Sequence, residues 1–221
     1  MSVFDLIGPI MVGPSSSHTA GAVRLGLVGR QILGAQPEKA LIELHGSFAL
    51  TGNGHGTDKA IVAGLLGFQP DDDRIRDSFF LADRANLHFS IKTIDLGEDA
   101  HPNTLRLTLS AGESTVQVIG SSLGGGIIQI TEVEGYPVNF SGQYDTLVVI
   151  ADDQPGTINA VTGWLLAQKI NVAFLKVGRE KRGTQAIMVI ETDQDIPDRL
   201  VQDLQNFSWV HWVRDINKLS E

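Results

Sequence analysis

Four short segments of this 221-residue chain carry residue types that can do chemistry. The first is GPSSSHT (13–19). Hydroxyl residues ahead of an apolar helical stripe cap a helix, and a helix start offers unpaired N–H groups and the positive end of its dipole. Ser15, Ser16, Ser17 and Thr19 exceed what a cap needs and form a cradle suited to a carboxylate. A serine hydrolase is a poor reading, since G-x-S-x-G is absent and adjacency of Ser17 and His18 in sequence says nothing of geometry. The second segment is HGSFALTGNGHGTDKA (45–60). Gly52, Gly54 and Gly56 predict a backbone free to approach a ligand, with Thr57 and Asp58 opening a helix. It is not a P-loop, lacking G-K-[ST], nor a dinucleotide fingerprint, lacking G-x-G-x-x-G. His55, between two glycines, has little to pack against, whereas His45 ends a strand. His18, His45 and His55 lack the spacing of a zinc set, so no metal site is expected. The third segment, SSLGGG (121–126), allows a bulge, a turn or a close ligand approach. The fourth, ADDQPGTI (151–158), joins a strand to a helix. There Asp152 or Asp153 can cap, Pro155 presets the first helical turn and Gly156 opens the backbone to a ligand.

Composition limits the partners. Seventeen Lys+Arg against 26 Asp+Glu give a formal charge of −9, which leaves no basic stripe for a nucleic-acid backbone. At 42% hydrophobic and 19% charged residues, the chain can bury a core. It has no cysteine, which excludes disulfides, a Cys-zinc site and a self-held iron–sulfur cluster and is compatible with the cytoplasmic location expected here. No apolar run approaches the ~18 residues of a membrane span, so no membrane is expected as a partner. The start, MSVFDLIGPIMVGPSSSHT, lacks a basic leader region and carries Asp5, and reads as part of the fold.

The elements that must position these segments follow from periodicity. Ala22, Leu25, Val28, Ile32 and Leu33 form a helical stripe. Residues 40–46 read as a strand, 57–67 as a helix, and about 73–84 as a charged helix whose DDDRIRD run (71–77) is a solvated start. Strands are predicted at 87–95, 104–111, 114–122 and 127–135. Helices on one side of a mixed sheet make the first part α+β. EGYPVNFSGQ (134–143) reads as a linker, placing domains at 1–139 and 144–221. Beyond it the order is strand 144–153, helix 155–169, strands 171–180 and 184–193 joined at 181–183, helix 196–206 and strand 210–216. That βαββαβ order is ferredoxin-like. Its open sheet edges, with Trp164, Trp209 and Trp212 as apolar surface, predict a homodimer through this part.

Taken together, GPSSSHTAGAVR, HGSFALTGNGHGTDKA and SSLGGG ahead of a βαββαβ module resemble the beta subunit of the iron–sulfur-dependent bacterial L-serine dehydratase, over essentially the whole chain. The C-terminal part looks like an ACT domain, and the N-terminal part resembles the allosteric substrate-binding domain of some phosphoglycerate dehydrogenases. The resemblance implies conversion of L-serine, a small-molecule substrate, to pyruvate and ammonia. It implies a [4Fe–4S] cluster with cysteine ligands on a partner alpha chain, and no pyridoxal phosphate. The site it implies has His18, His55 and Asp58 for proton transfer and orientation, and Ser15, Ser16, Ser17, Thr19, His45, Gly54 and Thr57 for holding substrate. A regulatory ligand would meet Asp152, Asp153, Pro155, Gly156 and Asn171. Two other readings stand beside it: a non-catalytic small-molecule-binding regulatory module, and an autonomous metal-dependent hydrolase built on the three histidines.

Overall fold

A computed structural model describes residues 10–13, 15–179, 181 and 183–220. Residues 1–9, expected to be part of the fold, and Arg182 in the predicted 181–183 turn lie outside the described residues. The chain divides into two compact units, residues 1–134 and 135–220.

In the first unit, a π-helical turn (Ser16–Gly21) runs into α1 (Ala22–Leu33). The predicted stripe Ala22, Leu25, Val28, Ile32 and Leu33 is buried. Each such Leu, Ile or Val contributes about 1.5–3 kcal/mol relative to exposure. Then come β1 (Lys39–Leu44), α2 (Gly46–His55), α3 (Thr57–Leu65), a 3-10 turn (Asp73–Asp77), α4 (Ser78–Arg84) and β2 (His88–Thr93). Strands β3 (Thr104–Ala111), β4 (Ser114–Gly124) and β5 (Ile127–Val133) complete its sheet, in the order β2-β1-β3-β4-β5, while β6 (Tyr136–Phe140) belongs to the second unit. The β1–β2 pair is parallel, while β1–β3, β3–β4 and β4–β5 are antiparallel, so the sheet is mixed, as expected.

The two faces of the sheet differ because side chains alternate along a strand. Leu105, Leu107 and Leu109 are buried, and Leu107 and Leu109 lie against Gly29 of α1. On the other face Arg106 stands opposite Glu43 and forms a two-pronged ion pair at 2.7 and 2.9 Å. That guanidinium holds the Glu43 carboxyl below its ordinary pKa. Helices α1 and α3 cross backbone to backbone: a Cβ on Gly64 would meet Leu27 N at 2.8 Å and Gly26 Cα at 2.9 Å, and would sit on Val23 O. This close crossing fixes the serine segment ahead of α1 relative to the start of α3.

Three sequence expectations change. The glycine-rich stretch 46–55 is a helix, α2, not an open loop. Glycines cost a helix about 1 kcal/mol each, but Phe48 is fully buried and the Ser47 and Phe48 N–H groups donate to Pro102 O, so tertiary contacts override propensity. The stretch 134–143 is not simply a linker. Glu134 (φ 53°) and Gly135 (φ 78°) make a tight turn, and Val138 and Phe140 of β6 are buried. The charged helix over 73–84 is two pieces. Asp72 accepts from Arg74 N and pairs with the Arg74 guanidinium, which tightens the start into a 3-10 turn.

The second unit follows its predicted pattern: β7 (Asp145–Asp152), α5 (Thr157–Ala167), β8 (Val172–Arg179), β9 (Gln185–Thr192), α6 (Asp198–Gln205) and β10 (Val210–Ile216). The strand order β10-β7-β9-β8 is antiparallel throughout and ferredoxin-like. Leu147, Val149, Met188 and Ile190 meet Val161, Leu165, Leu200 and Leu204 in its core. Trp164 and Trp209 are not free apolar surface: both pack on that core, and Trp209 stacks on Phe207 at 4.9 Å. Trp212 is half-buried, with the Arg214 guanidinium over its ring at 5.3 Å. Among the described residues no helix is long and apolar enough to cross a membrane.

Candidate functional site

The site is assembled where the serine segment meets α2. Ser15 caps the π-helical turn, its Oγ accepting from His18 N at 3.2 Å. Such wide turns recur at functional sites. The turn swings the His18 ring among hydroxyls. Ser17 Oγ lies 3.2 Å and Ser15 Oγ 3.4 Å from its Nδ1. On the other side, Thr51 Oγ1 is 3.0 Å and Ser47 Oγ 3.3 Å from Nε2. The ring stands edge-on to Phe48 at 5.3 Å and lies 5.0 Å from the His55 ring. Burial, then the charge His55 would carry beside it, hold the His18 imidazole below its ordinary pKa, against the raising effect of a Ser47 backbone hydrogen bond. Neutral His18 therefore offers one donor and one acceptor nitrogen to these hydroxyls.

The other serine of the segment is used differently. Gly124, Gly125 and Gly126 have φ of 100°, 62° and 81° and close the β4–β5 hairpin, a run of left-handed backbone that side chains would strain. Gly125 N donates to Ser16 Oγ at 3.2 Å, and the Arg24 guanidinium donates to Gly126 O at 2.8 Å. The triple-glycine segment thus clamps the serine segment.

Beside the His18–His55 pair is a cavity of about 200 Å³ lined by Thr19, His55, Gly56, Lys59 and Arg76 among others. Thr19 is 2% exposed, and its Oγ1 is a buried hydroxyl without a hydrogen-bond partner among the described residues. Thr57 Oγ1, at the start of α3, is in the same condition. A buried hydroxyl costs free energy until it is paired. Two cations, an imidazole and an unsatisfied hydroxyl around one small cavity suit an anionic, hydrogen-bonding ligand such as a carboxylate.

The structure brings Ser15, Ser17, His18, Thr19 and His55 together. It turns the other expected residues elsewhere. His45 accepts from Leu96 N through Nδ1 at 3.2 Å and braces the 94–97 segment. Asp58 Oδ1 accepts from Lys59 N at 2.8 Å and serves the start of α3. Gly54 lies inside α2, where its backbone is helical and not a cradle. Ser47, Thr51, Lys59 and Arg76 were not singled out by sequence. Ser47 and Thr51 share a helix face only once 46–55 is recognised as a helix. Arg76 hides in a charge run that reads as solvated surface. Among the described residues, no three His, Cys, Asp or Glu side chains gather as a metal-holding group, so the three histidines do not converge.

In the second unit, the loop 152–156 has its acidic groups engaged. Asp152 Oδ1 is 2.7 Å from His211 Nε2, and Asp153 Oδ2 takes the Arg179 guanidinium at 2.8 Å and Gly183 N at 3.0 Å. Asn171 donates to Asp193 at 2.6 Å. Pro155 is exposed, and Gly156 (φ 96°) precedes α5.

Comparison with known proteins agrees with this division. The serine dehydratase beta chain family matches residues 2–133, and the ACT domain family matches residues 146–208. A probable L-serine dehydratase beta chain of Bacillus subtilis is 42% identical over 203 residues, covering 92% of each chain. An L-serine dehydratase beta chain of Peptoniphilus asaccharolyticus is 40% identical over 200 residues, covering 90% of each. D-3-phosphoglycerate dehydrogenase of Methanocaldococcus jannaschii is 24% identical over 132 residues, 60% of this chain and 25% of that one.

Proposed function

The chain belongs to the serine dehydratase beta-chain family, and from that premise we propose that its first unit forms part of the substrate site of an L-serine dehydratase, active once an alpha chain is bound. The reaction is loss of water from L-serine, followed by hydrolysis of the resulting enamine to pyruvate and ammonia. The observation that supports it is the cavity where Thr19, His55, Lys59 and Arg76 meet beside the hydroxyl-bracketed His18.

Elimination requires a held carboxylate and a group that takes the Cα proton. Lys59 and Arg76 hold the carboxylate, and the Thr19 hydroxyl gains a partner from the same ligand. His55 is exposed and lines the cavity, so it is the group that reaches the Cα proton. His18 sits behind it, with both ring nitrogens in hydroxyl contacts, and positions His55 through the 5.0 Å ring contact. With no cysteine, this chain has no thiolate for the [4Fe–4S] cluster that the resemblance implies; the proposal places that cluster on cysteines of the alpha chain, where it supplies a Lewis acid for the departing hydroxyl, with no pyridoxal phosphate. The second unit, an ACT domain, is the regulatory part and pairs with a second copy. In support of pairing, β8 is an edge strand with Leu175 41% and Val177 42% exposed, and Leu166 of α5 is 76% exposed.

His55→Ala, assembled with the alpha chain, is expected to lose about 10²–10⁴-fold in kcat. An unchanged kcat refutes the assignment. The similarity to a phosphoglycerate dehydrogenase favours one other reading, a first unit that binds an amino acid without chemistry. In that case His55→Ala shifts only the serine concentration dependence.

A further inference from the structure

Each hydroxyl around His18 has one proton to give and two lone pairs to offer. Thr51 Oγ1 gives its proton to a group that can only accept, the Ser47 carbonyl oxygen, at 2.9 Å one turn back along α2. Towards His18 Nε2, at 3.0 Å, Thr51 is left with a lone pair, so the proton between them belongs to the ring. Ser47 Oγ, at 3.4 Å from Thr51 Oγ1, donates into the second lone pair. A neutral imidazole with its proton on Nε2 has a bare Nδ1. There Ser17 Oγ, at 3.2 Å, is the donor. The Ser15 hydroxyl, which accepts from His18 N, then gives its own proton to Ser17 Oγ at 3.3 Å.

These contacts join into one directed chain, from Ser15 to Ser17, to His18, to Thr51 and to the Ser47 carbonyl. Turning the ring over would put carbon where each nitrogen stands and break the chain on both sides of His18. The chain therefore fixes the face that His18 presents to His55, whose ring is 5.0 Å away and tilted by 49°, with Phe48 packed against the edge. It also engages both ring nitrogens. His55 is the titratable group that faces His18, and Lys59 and Arg76 line the cavity on the His55 side. The neutral ring that the chain needs is the form that burial and the His55 charge favour.

We infer that Thr51 and Ser17 are positioning residues that hold His18 as the Nε2–H tautomer, so that His18 orients His55 and takes no proton from the substrate. The consequence for turnover rests on the reading of the cavity as a dehydratase substrate site. The proton arrangement belongs to this chain alone. It separates the two histidines: His55 is exposed with a free approach to the cavity, while both nitrogens of His18 already have hydroxyl partners.

The test begins with nitrogen NMR of the imidazoles in the full chain without the alpha chain, the His18 signals being identified by their loss in His18→Gln. Above the His18 titration, a protonated Nε2 and a bare Nδ1 are expected; the Nδ1–H tautomer, or an average of the two, overturns the proposal. Titration then reads each hydrogen bond by its sign. Ser17→Ala removes a donor to the bare nitrogen, which had favoured the neutral ring, so the proton affinity of His18 should rise. Thr51→Val removes the acceptor of the ring N–H, which had favoured the cation, so the proton affinity should fall. Each change is about 2–10-fold, the effect of one net hydrogen bond. Thr51 is exposed and valine has its shape, so the variant should fold, as melting curves check. Thr51→Ser keeps the acceptor and should titrate as the unaltered chain does. The opposite pair of signs, or no change in either variant, overturns the proposal. With the alpha chain present, Thr51→Val should lower kcat for L-serine about 2–10-fold at unchanged KM, and Thr51→Ser should restore it. An unchanged kcat in Thr51→Val refutes the positioning role. An unaltered assembly that does not dehydrate serine refutes the substrate-site reading instead, and the tautomer is still decided by the NMR of this chain.

Discussion

Two glycine-to-alanine substitutions in helices should have opposite signs. Gly64 of α3 faces α1 so closely that a Cβ would lie on Val23 O and within 2.8–2.9 Å of Leu27 N and Gly26 Cα. All three are backbone atoms and cannot swing aside, so the helices must separate. Such overpacking costs about 1–3 kcal/mol, and this contact belongs at the upper end. Alanine returns about 1 kcal/mol of helix propensity, so the net loss is about 2 kcal/mol. For a chain of this size that lowers the melting temperature by about 4–8 °C. Gly163 of α5 has no atom within 4 Å of a built Cβ. There the same substitution keeps only the propensity gain, about 0.5–1 kcal/mol. Far-UV circular dichroism melts of Gly64→Ala and Gly163→Ala measure both. Because Thr19 sits in the turn that runs into α1 and Lys59 sits on α3, both lining the cavity, Gly64→Ala should raise KM for L-serine in the assembled enzyme. A Gly64→Ala protein as stable as Gly163→Ala would refute the close-crossing argument.

The His18 imidazole is held below its ordinary pKa, so the unfolded chain binds more protons than the folded one in the window beneath about 6.5. Stability should therefore fall as pH drops below about 6.5 towards the folded pKa, and His18→Gln should flatten that part of the urea-midpoint profile; an unaltered profile contradicts the burial of this ring. The pairing proposed for the second unit runs through the β8 edge, so Val177→Glu is expected to give a monomer of this chain by light scattering where the unaltered chain is a dimer, and a variant that stays dimeric moves the interface elsewhere.

The second unit was legible almost residue for residue. Its β7 and β9 are short continuous apolar runs bounded by polar residues, and Pro155 with Gly156 marks the start of α5. The first unit was legible where periodicity is strong, as in α1 and β3, and misread where local chemistry and packing disagree. Four glycines in 46–56 read as a loop, yet burial of Phe48 and the Pro102 carbonyl make 46–55 a helix. That misreading concealed Ser47 and Thr51, which lie one helical turn apart and hold His18. The serine segment reads as a candidate site in sequence, but its division of labour does not show there. Ser15 and Ser17 meet His18 while Ser16 is tied to the glycine turn more than one hundred residues later, a contact no local pattern encodes. In sequence, β6 reads as a linker because its turn, Glu134–Gly135, lacks the usual Asn-Gly signal.

As proposed, this chain supplies the carboxylate-holding groups and the Cα base to a dehydratase whose iron–sulfur cluster lies on another chain. The most direct measurement is anaerobic pyruvate release from L-serine by this chain alone, by the alpha chain alone, and by the two mixed after iron–sulfur reconstitution. Pyruvate should form only in the mixture, and this chain alone should show no cluster absorbance, having no cysteine. Turnover by this chain alone, or full turnover by the alpha chain without it, would contradict the account.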